Sequence, residues 1–421
     1  MFRKIIEKIR QVMYRMGLLK GVKNISERTD ISINEEMYEH IELWKALYRG
    51  FYEHWHTVRY YTLEGPKTRK MATLGVAKTA SAEMASLIFN EKCVISISDE
   101  STAEFVKDVF RNNDFNKKFQ DYLEYSFALG GAVIKPYVKN DKVMLSYVTA
   151  DCFIPISWDN ETIREAVFVS EFWKNSKKYT HLEWHIWEGE EYVIRNELYE
   201  SKDGNDLGVK VSLETFLPGI EAETRISGLE RPLFVYFKPN TANNIDTKSP
   251  LGISIYANAL DTMKAIDVAF DSLQREFRLG KKRIIVPSHM VKAVVDPQTG
   301  RTHRYFDAND EVYEAFNTAG AMDENEIVDI DIELRVDEHI AAINALLNWF
   351  AVQIGFSAGT FTFDGTSMKT ATEVISEQSK TFKTKQSHEV IIESALQELI
   401  HSIIDVARLH DLVAGTNYFA F

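Results

Sequence analysis

The sequence predicts an α+β protein in which long helices frame a region of antiparallel strands. Apolar residues recur at spacings of three and four near both ends of the chain, which is typical of amphipathic helices. Between residues 132 and 238 the apolar residues alternate with polar ones, as in half-buried strands. A last helix is predicted from Ser367 to Leu412, and at about 1.5 Å per residue it would be on the order of 65 Å long.

The composition excludes several classes of protein. With 421 residues, 45% of them hydrophobic, the chain is long enough for two or more domains and is not disordered as a whole. Two cysteines, Cys93 and Cys152, favour a reducing compartment without a disulfide framework. Neither a secretory signal nor an apolar run of roughly 18 residues is visible, so no membrane association is expected. The formal charge of −13 argues against nucleic-acid binding by the whole surface.

The N-terminal segment, Met1–Lys23, predicts a basic amphipathic helix. Its apolar side chains share one face, and lysines and arginines surround them. Such a helix binds a membrane surface or a partner, or it docks on its own domain. Docking is favoured because Glu7 and Tyr14 interrupt the pattern.

Three further helices are predicted before the alternating region. The first begins at a capping box formed by Ser32 and Glu35. The others are predicted over Arg69–Asn90 and from Ser101 to Leu129, with a buried strand at Cys93–Ser98 between them.

The alternating region predicts an antiparallel meander, because successive strands are joined by short polar turns. Residues 218–232 are predicted to be a loop. The strands are predicted at Ala132–Val138, Val143–Val148, Phe153–Ser157, Glu165–Trp173, Tyr179–Trp187, Tyr192–Leu198 and Leu233–Phe237.

Two apolar-striped helices then bracket a small β-module. The first is predicted to begin at Ser249-Pro250 and to end at Gly280. The second is predicted to begin at Asp337, as N-cap, and to end at Ile354. Residues 281–336 between them contain strand-like pieces, including a clear alternation over Ile327–Val336. A short Gly-rich loop separates the second helix from the long one.

Two motifs invite a catalytic interpretation that their context does not favour. Gly355-Phe-Ser-Ala-Gly359 matches the nucleophile elbow G-x-S-x-G, but that motif requires a preceding strand and a helix precedes it here. His181, Glu183 and His185 share one face of a predicted strand, where they would suit zinc. A solvated outer face is the favoured interpretation, since the alternate residues form an apolar face.

Two clusters of charged residues lie in the β-module, one acidic and one basic, and each has a functional and a purely structural interpretation. Asp329, Asp331 and Glu333 share a strand face, as in a magnesium-dependent nuclease or a solvated surface. The adjacent cations at residues 281–283 suit phosphate contact or the end of the preceding helix. No P-loop and no Cys-x-x-Cys occurs, so no catalytic residue, cofactor or metal is predicted.

The order and spacing of four segments resemble the portal, or head-to-tail connector, proteins of tailed bacteriophages, especially long-tailed phages of Gram-positive hosts. The resemblance runs from about Glu35 to Leu412. The segments are Cys152–Asp159, Ile163–Phe168, Ser249–Tyr256 and Phe363–Ala371.

This resemblance implies a portal-type fold in a ring of usually twelve subunits around a channel for double-stranded DNA. Each subunit would have a helical stem, a β-containing clip, a mixed α/β wing and a short crown. The implied boundaries are wing 1–250, stem helices 251–280 and 337–354, clip 281–336, tunnel loop 355–366, long helix 367–412 and crown 413–421.

The resemblance also implies sites and partners. Channel residues would be Gly359, Thr360, Phe361, Thr362, Phe363, Asp364 and Lys369. Candidate phosphate contacts are Lys281, Lys282, Arg283, Lys380 and Lys383. The residues that would dock partner proteins are Asp329, Asp331 and Glu333 in the clip. The implied partners are the terminase large subunit, a head-completion or tail adaptor protein, and the major capsid and scaffolding proteins.

The implied role is non-enzymatic, at the portal vertex of the virion, with assembly in the host cytoplasm. An acidic subunit repeated around a ring makes a lumen in which DNA slides with little sticking. Two alternatives stay open: a metal-dependent nuclease, and another ring-forming virion adaptor without a DNA channel.

Overall fold

The computed structural model describes residues 35–62, 65–90, 93–160, 162–202, 207–280, 283–285, 292–295, 300, 302–305, 328–330, 333–363 and 379–413. The predicted helix Met1–Lys23 lies outside this part of the chain. The described helices are α1 Glu35–Tyr48, α2 Glu53–His56, α3 Val76–Ile88, α4 Glu100–Asn112, α5 Phe115–Leu129, α6 Leu260–Leu279, α7 Val336–Gln353 and α8 Ser379–Leu409.

The strands form two larger antiparallel sheets and three hairpin-sized ones. The first ten strands are β1 Thr57–Thr62, β2 Gly65–Lys70, β3 Ala132–Lys139, β4 Lys142–Thr149, β5 Phe153–Asp159, β6 Thr162–Lys174, β7 Lys177–Glu188, β8 Glu191–Ser201, β9 Val209–Val211 and β10 Glu223–Ser227. The others are β11 Val235–Phe237, β12 Arg283–Ile285, β13 Lys292–Val295, β14 Thr302–Tyr305 and β15 Val328–Ile330.

The predicted meander is confirmed for β5 to β8, whereas β3, β4 and β11 form a separate antiparallel sheet. One sheet has the order β10-β8-β7-β6-β5, with β9 paired to β8, and a second sheet has the order β11-β3-β4. The prediction of a loop at residues 218–232 is wrong, because β10 lies there and pairs with β8. The strand was not predicted because one of its faces is polar. On that face Arg225 donates to Glu188 and Glu223, and these bonds help to hold the strand at the exposed edge of the sheet.

The prediction of one helix from Ser101 to Leu129 is wrong, because two helices meet at Asn113. The Asn113 side chain donates to the carbonyl of Val143 (3.0 Å) and accepts from the amide of Leu145 (2.8 Å). The Asn113 side chain is fully buried, and its bonds to β4 hold the chain at the break between α4 and α5. The N-cap of α4 is Asp99, which accepts from the Thr102 amide at 2.8 Å, rather than Ser101.

The segment before α3 also differs from the prediction. The helix predicted to begin at Arg69 begins only at Val76, after Gly75, which has a φ of +69°, because Arg69 and Lys70 are the last residues of the strand β2. The predicted strand Cys93–Ser98 has no regular structure and alternates between half-buried and exposed residues. Contact with neighbouring helices, rather than strand pairing, produces its apolar pattern: Ile95 packs with Val106 and Ile400.

The first of the two helices that bracket the β-module, α6, begins later than predicted, at Leu260. These two helices, α6 and α7, are called the rods below. Residues 249–256 are not helical, because the Ile255 amide donates to the Phe127 carbonyl (3.0 Å) where the chain crosses the end of α5. Gly252 packs so closely there that an added Cβ would lie 2.3 Å from the carbonyl oxygen of Gly130. The predicted end at Gly280 is confirmed.

The second rod, α7, begins one residue before the predicted N-cap Asp337, and its observed N-cap is Arg335. The Arg335 guanidinium donates to Glu276 of α6 in two bonds of 3.0 Å, which joins the two rods. The alternation over Ile327–Val336 is only partly a strand, since β15 covers three residues and the helix begins at Val336.

The long helix α8 lies across the three-stranded sheet. Its C-terminal half is buried, as the apolar pattern predicts, through Leu399, Ile400, Ile403 and Ala407. It ends at Leu409 rather than Leu412, and its predicted beginning at Ser367 lies outside the described residues. Within the described part of the chain, no helix is both long and apolar enough to span a bilayer.

The two larger sheets are joined by a buried charged network, which corrects the prediction of a solvated face at His181, Glu183 and His185. His181 and His185 are buried, and His185 bonds Glu183 (2.8 Å) and Tyr192 (2.7 Å). Lys135 of β3 forms an ion pair with Glu183 and lies over the Phe168 ring, 4.4 Å from its centroid. Burial raises the pKa of Glu183, but Lys135 and His185 outweigh it, so the pKa lies well below its usual value. Among the described residues, no group of three His, Cys, Asp or Glu side chains is placed to hold a metal ion.

Candidate functional site

The candidate site is the loop of residues 355–363, at the junction of α7 and α8. Helix α7 ends in a left-handed turn at Gly355, which has a φ of +90°. The Phe356 amide donates to the Ala351 carbonyl (2.8 Å) and the Gly355 amide to that of Val352 (3.4 Å). This is a Schellman cap, which satisfies the last carbonyls of the helix and reverses the chain direction.

Glycine is required at 355 for a second reason. A Cβ added there would lie 2.6 Å from Cγ2 of Thr384, so α8 passes directly over the turn. The close approach of the two helices therefore depends on the absent side chain.

Two asparagines of α7 bind the backbone of the loop. Asn348 Oδ1 accepts from the Gly359 amide at 2.6 Å, and Asn344 Oδ1 accepts from the Phe363 amide at 3.0 Å. They are four residues apart, so they lie on one helix face. The pair holds both the tip and the outgoing end of the loop along α7.

The beginning of α8 holds the other side of the loop. Ser357 and Thr381 bond reciprocally: the Ser357 amide donates to Thr381 Oγ1 (2.8 Å), and the Thr381 amide donates to Ser357 Oγ (3.3 Å). Two turns further along α8, His388 Nδ1 accepts from the Asn240 amide at 2.9 Å, and burial lowers the pKa of His388 to about 4. The loop is therefore fixed between two helices that are themselves anchored in the core.

The three phenylalanines of the loop have different environments. Phe356 is fully buried, Phe361 packs against Phe350 and Phe356 at ring distances of 6.0 and 5.1 Å, and Phe363 is 57% exposed. The tip, Ala358–Thr360, is exposed. The loop thus exposes its tip and one aromatic side chain, while the other two rings secure its base.

The cations near the loop have different roles. Lys380 donates to the Val352 carbonyl at 2.5 Å and so complements the C-terminus of α7. Lys383 is exposed, and Lys385 pairs with Glu389 at 2.5 Å. Asp364 and Lys369 lie outside the described residues.

The predicted clip residues are only partly described. Arg283 lies in β12 and Asp329 in β15, and these two strands pair with each other. Glu333 is exposed, just before α7. Lys281, Lys282 and Asp331 lie outside the described residues.

The four residues that fix the loop were missed at the level of sequence: Asn344, Asn348, Ser357 and Thr381. A signal exists for the asparagines, which interrupt an apolar helix at a spacing of four. Ser357 lies in the G-x-S-x-G motif, whose interpretation as coincidence fits the helix that precedes it.

Comparisons with known proteins decide the family. The sequence matches the family described as phage portal protein, SPP1 Gp6-like, over residues 27–418. The chain belongs to this phage portal protein family. The portal-type α+β fold and the portal function implied by the resemblance are thereby confirmed.

Two further comparisons complete the description of this portal protein. A search of curated proteins finds no match. Among solved structures, the chain is similar to one in the "Neck of empty GTA particle computed with C6 symmetry", with 11% identity and a TM-score of 0.39 over 78% of this chain and 77% of that one.

Proposed function

We propose that this portal protein assembles into a ring of twelve subunits around an axial channel through which double-stranded DNA is packaged and ejected at one capsid vertex. The observation that carries the proposal is the family match over residues 27–418, which includes both rods, the β-module and the loop. The charge of −13 per subunit supports a lumen that repels phosphates and lets DNA slide.

The described architecture supports the domain assignment. Residues 1–250 form the wing, 251–280 and 337–354 the stem, and 281–336 the clip. The two stem helices are neighbours joined by the Arg335–Glu276 pair, and small paired strands lie between them in sequence. Residues 355–366 are assigned to the tunnel loop and 413–421 to a short crown, and the long helix, described over Ser379–Leu409, lies between them.

The tunnel loop meets DNA in this proposal. The channel residues are Gly359, Thr360, Phe361, Thr362, Phe363, Asp364 and Lys369. The exposed tip and Phe363, on a base held by α7 and α8, suit a surface past which a duplex moves. Lys380 and Lys383 are exposed cations near this base and supply weak phosphate contact, as do Lys281, Lys282 and Arg283.

The clip docks the other components of the packaging and tail machinery. Asp329, Asp331 and Glu333 are the docking residues for the terminase large subunit and for the head-completion or tail adaptor protein. Contacts with the major capsid and scaffolding proteins belong to assembly in the host cytoplasm. No step of this role requires catalysis by the chain or a bound cofactor.

The proposal is tested by changing Phe363 to serine in assembled rings. Rings are expected to form normally, whereas DNA packaging or retention is expected to fall, because the loop loses its exposed aromatic contact. Trp173→Ser is the matched control, since Trp173 is 63% exposed in the wing sheet, far from the loop in sequence. Normal packaging by Phe363→Ser would refute the role of the loop, and a wild-type chain that stays monomeric would refute the ring.

A further inference from the structure

The hairpin β1–β2 is a sheet of two strands that none of the other described strands extends. Every described residue in its strands, Thr57–Thr62 and Gly65–Lys70, is half-buried or exposed. Isolated two-stranded hairpins are marginally stable in water, and packing against another surface stabilises them. The hairpin therefore has the properties of an element that is completed by a partner.

The base of the hairpin is fixed to the first stem helix by two aspartates one turn apart. Asp271 accepts from both terminal nitrogens of Arg69 (2.7 and 2.6 Å) and from the Ala72 amide (3.0 Å). Asp267 accepts from the Leu74 amide (2.9 Å) and bonds His56 (3.1 Å). The bidentate Arg69 pair lowers the pKa of Asp271, which keeps this carboxylate charged. The hairpin thus has a defined direction relative to α6.

The register divides the hairpin into two faces. Val58 pairs with Arg69, so these side chains share the face that meets α6. The opposite face carries Arg59, Tyr61, Pro66, Thr68 and Lys70, all of them exposed. Tyr61 is 87% exposed, more than any other large hydrophobic residue in the described part of the chain.

The charge of the hairpin is opposite to that of the protein. Residues 57–70 contain Arg59, Lys67, Arg69 and Lys70 but only one carboxylate, Glu64. The chain as a whole has a charge of −13, so the part outside the hairpin has a charge of −16. An acidic surface is the electrostatic complement of the hairpin, and every other copy of the chain has a net negative charge.

The surroundings of the hairpin favour a protein over DNA as that partner. Val268, next to the clamping Asp267, is 43% exposed, and Phe277 on the same helix is 49% exposed. Exposed apolar side chains, here on the helix that holds a hairpin rich in arginine and tyrosine, are typical of protein interfaces, whereas duplex DNA is bound through polar and cationic contacts. A ring also requires heterologous contacts, in which one patch meets a different patch of the next copy.

We propose that the β1–β2 hairpin is an arm that docks its Arg59–Tyr61–Lys70 face on the acidic surface of the neighbouring copy. This inference rests on the proposed ring. It assigns to the hairpin an intersubunit contact at the junction of wing and stem, separate from the contacts along the stem helices.

Site-specific photo-crosslinking identifies the partner directly. A benzophenone amino acid replaces Tyr61 in the full chain, and rings are irradiated with and without duplex DNA. Crosslinks to a second copy are expected at Tyr61, and the same probe at Val94, which is 85% exposed, is the control for non-specific reaction. Intact rings without a Tyr61 crosslink above the Val94 level would overturn the arm, and crosslinks to DNA in place of protein would make DNA the occupant.

Charge reversal tests whether the cations of the hairpin contribute to its contact with the neighbouring copy. R59E/K70E is expected to raise at least tenfold the protein concentration needed for half-assembly in about 50 mM salt, and the difference should shrink at about 0.5 M salt because screening increases. K117E/K118E is the matched control, with the same charge change at two exposed residues of α5. Thermal unfolding of both monomers should match that of the wild type. Equal assembly of the two variants would overturn the arm and leave the ring intact, whereas a monomeric wild type would overturn the ring and the arm together.

Discussion

Replacing Asn348 by leucine is expected to release the tip of the tunnel loop from α7. In the wild type, Asn348 Oδ1 accepts from the Gly359 amide at 2.6 Å. Leucine has nearly the same size and favours a helix, so α7 is expected to persist. The change therefore removes one acceptor and leaves the other anchors of the loop, Asn344 and Ser357, in place.

The size of the effect follows from the single hydrogen bond lost. A typical protein hydrogen bond contributes about 1 kcal/mol net. A change of about 1 kcal/mol corresponds to roughly a fivefold change in an opening equilibrium. The Gly359 amide lies at an exposed site and bonds to water once released, so the larger cost of a buried unpaired group does not apply.

Amide hydrogen exchange of Gly359 in assembled rings measures this opening. Asn348→Leu is expected to speed exchange at Gly359 roughly fivefold. Asn348→Asp is the matched control, because its carboxylate accepts the same bond, and exchange should stay near the wild-type rate. Unchanged exchange in the leucine variant, or equal acceleration in both variants, would refute the anchoring role of the Asn348 oxygen.

Two further predictions concern stability. Burial lowers the pKa of His388 from 6.5 to about 4, so the unfolded chain binds the proton before the folded chain does as the pH falls. The free energy of unfolding should therefore decrease between pH 6.5 and 4, by up to about 3 kcal/mol. In denaturant titrations His388→Gln should flatten this slope relative to the wild type, and an unchanged slope would contradict the assignment. Lys135→Met should cost about 2 kcal/mol because the Glu183 carboxylate between the sheets loses its lysine partner and keeps only its bond to His185, while K135M/E183Q should recover part of that loss. Additive losses in the double variant would show that the two side chains do not interact.

Errors at the level of sequence occurred where polar side chains, rather than apolar periodicity, determine the backbone. The break between α4 and α5 depends on the Asn113 amide reaching β4, a contact 30 residues away along the chain. The strand β10 has arginine and glutamate on its exposed face and a single large apolar residue, Ile226, on the other, so its apolar alternation is too short to recognise. The predicted solvated face at His181, Glu183 and His185 is buried because a second sheet covers it and supplies Lys135.

For the candidate site, the position of the loop was predictable from the sequence, but the residues that anchor it were not. The resemblance located the loop and its exposed Phe363 in the sequence, since the order of helix, glycine-rich loop and long helix is local information. The anchors of the loop were not predicted, because Asn344, Asn348 and Thr381 act through geometry. They bind the loop only because α7 and α8 run past it on either side.

The sequence by itself determined the α+β class, the antiparallel meander, the end of the first rod at Gly280 and the portal family. These follow from periodicity, turn residues and the order of segments, all of which are properties of neighbouring residues. Only the tertiary structure decided that Glu183 and Lys135 meet between sheets, that Gly355 lies against Thr384, and that Arg69 holds a cationic hairpin on α6. The physical reason is that these contacts join segments far apart in the chain, and a buried polar or charged group reveals its partner only when the fold brings the two together.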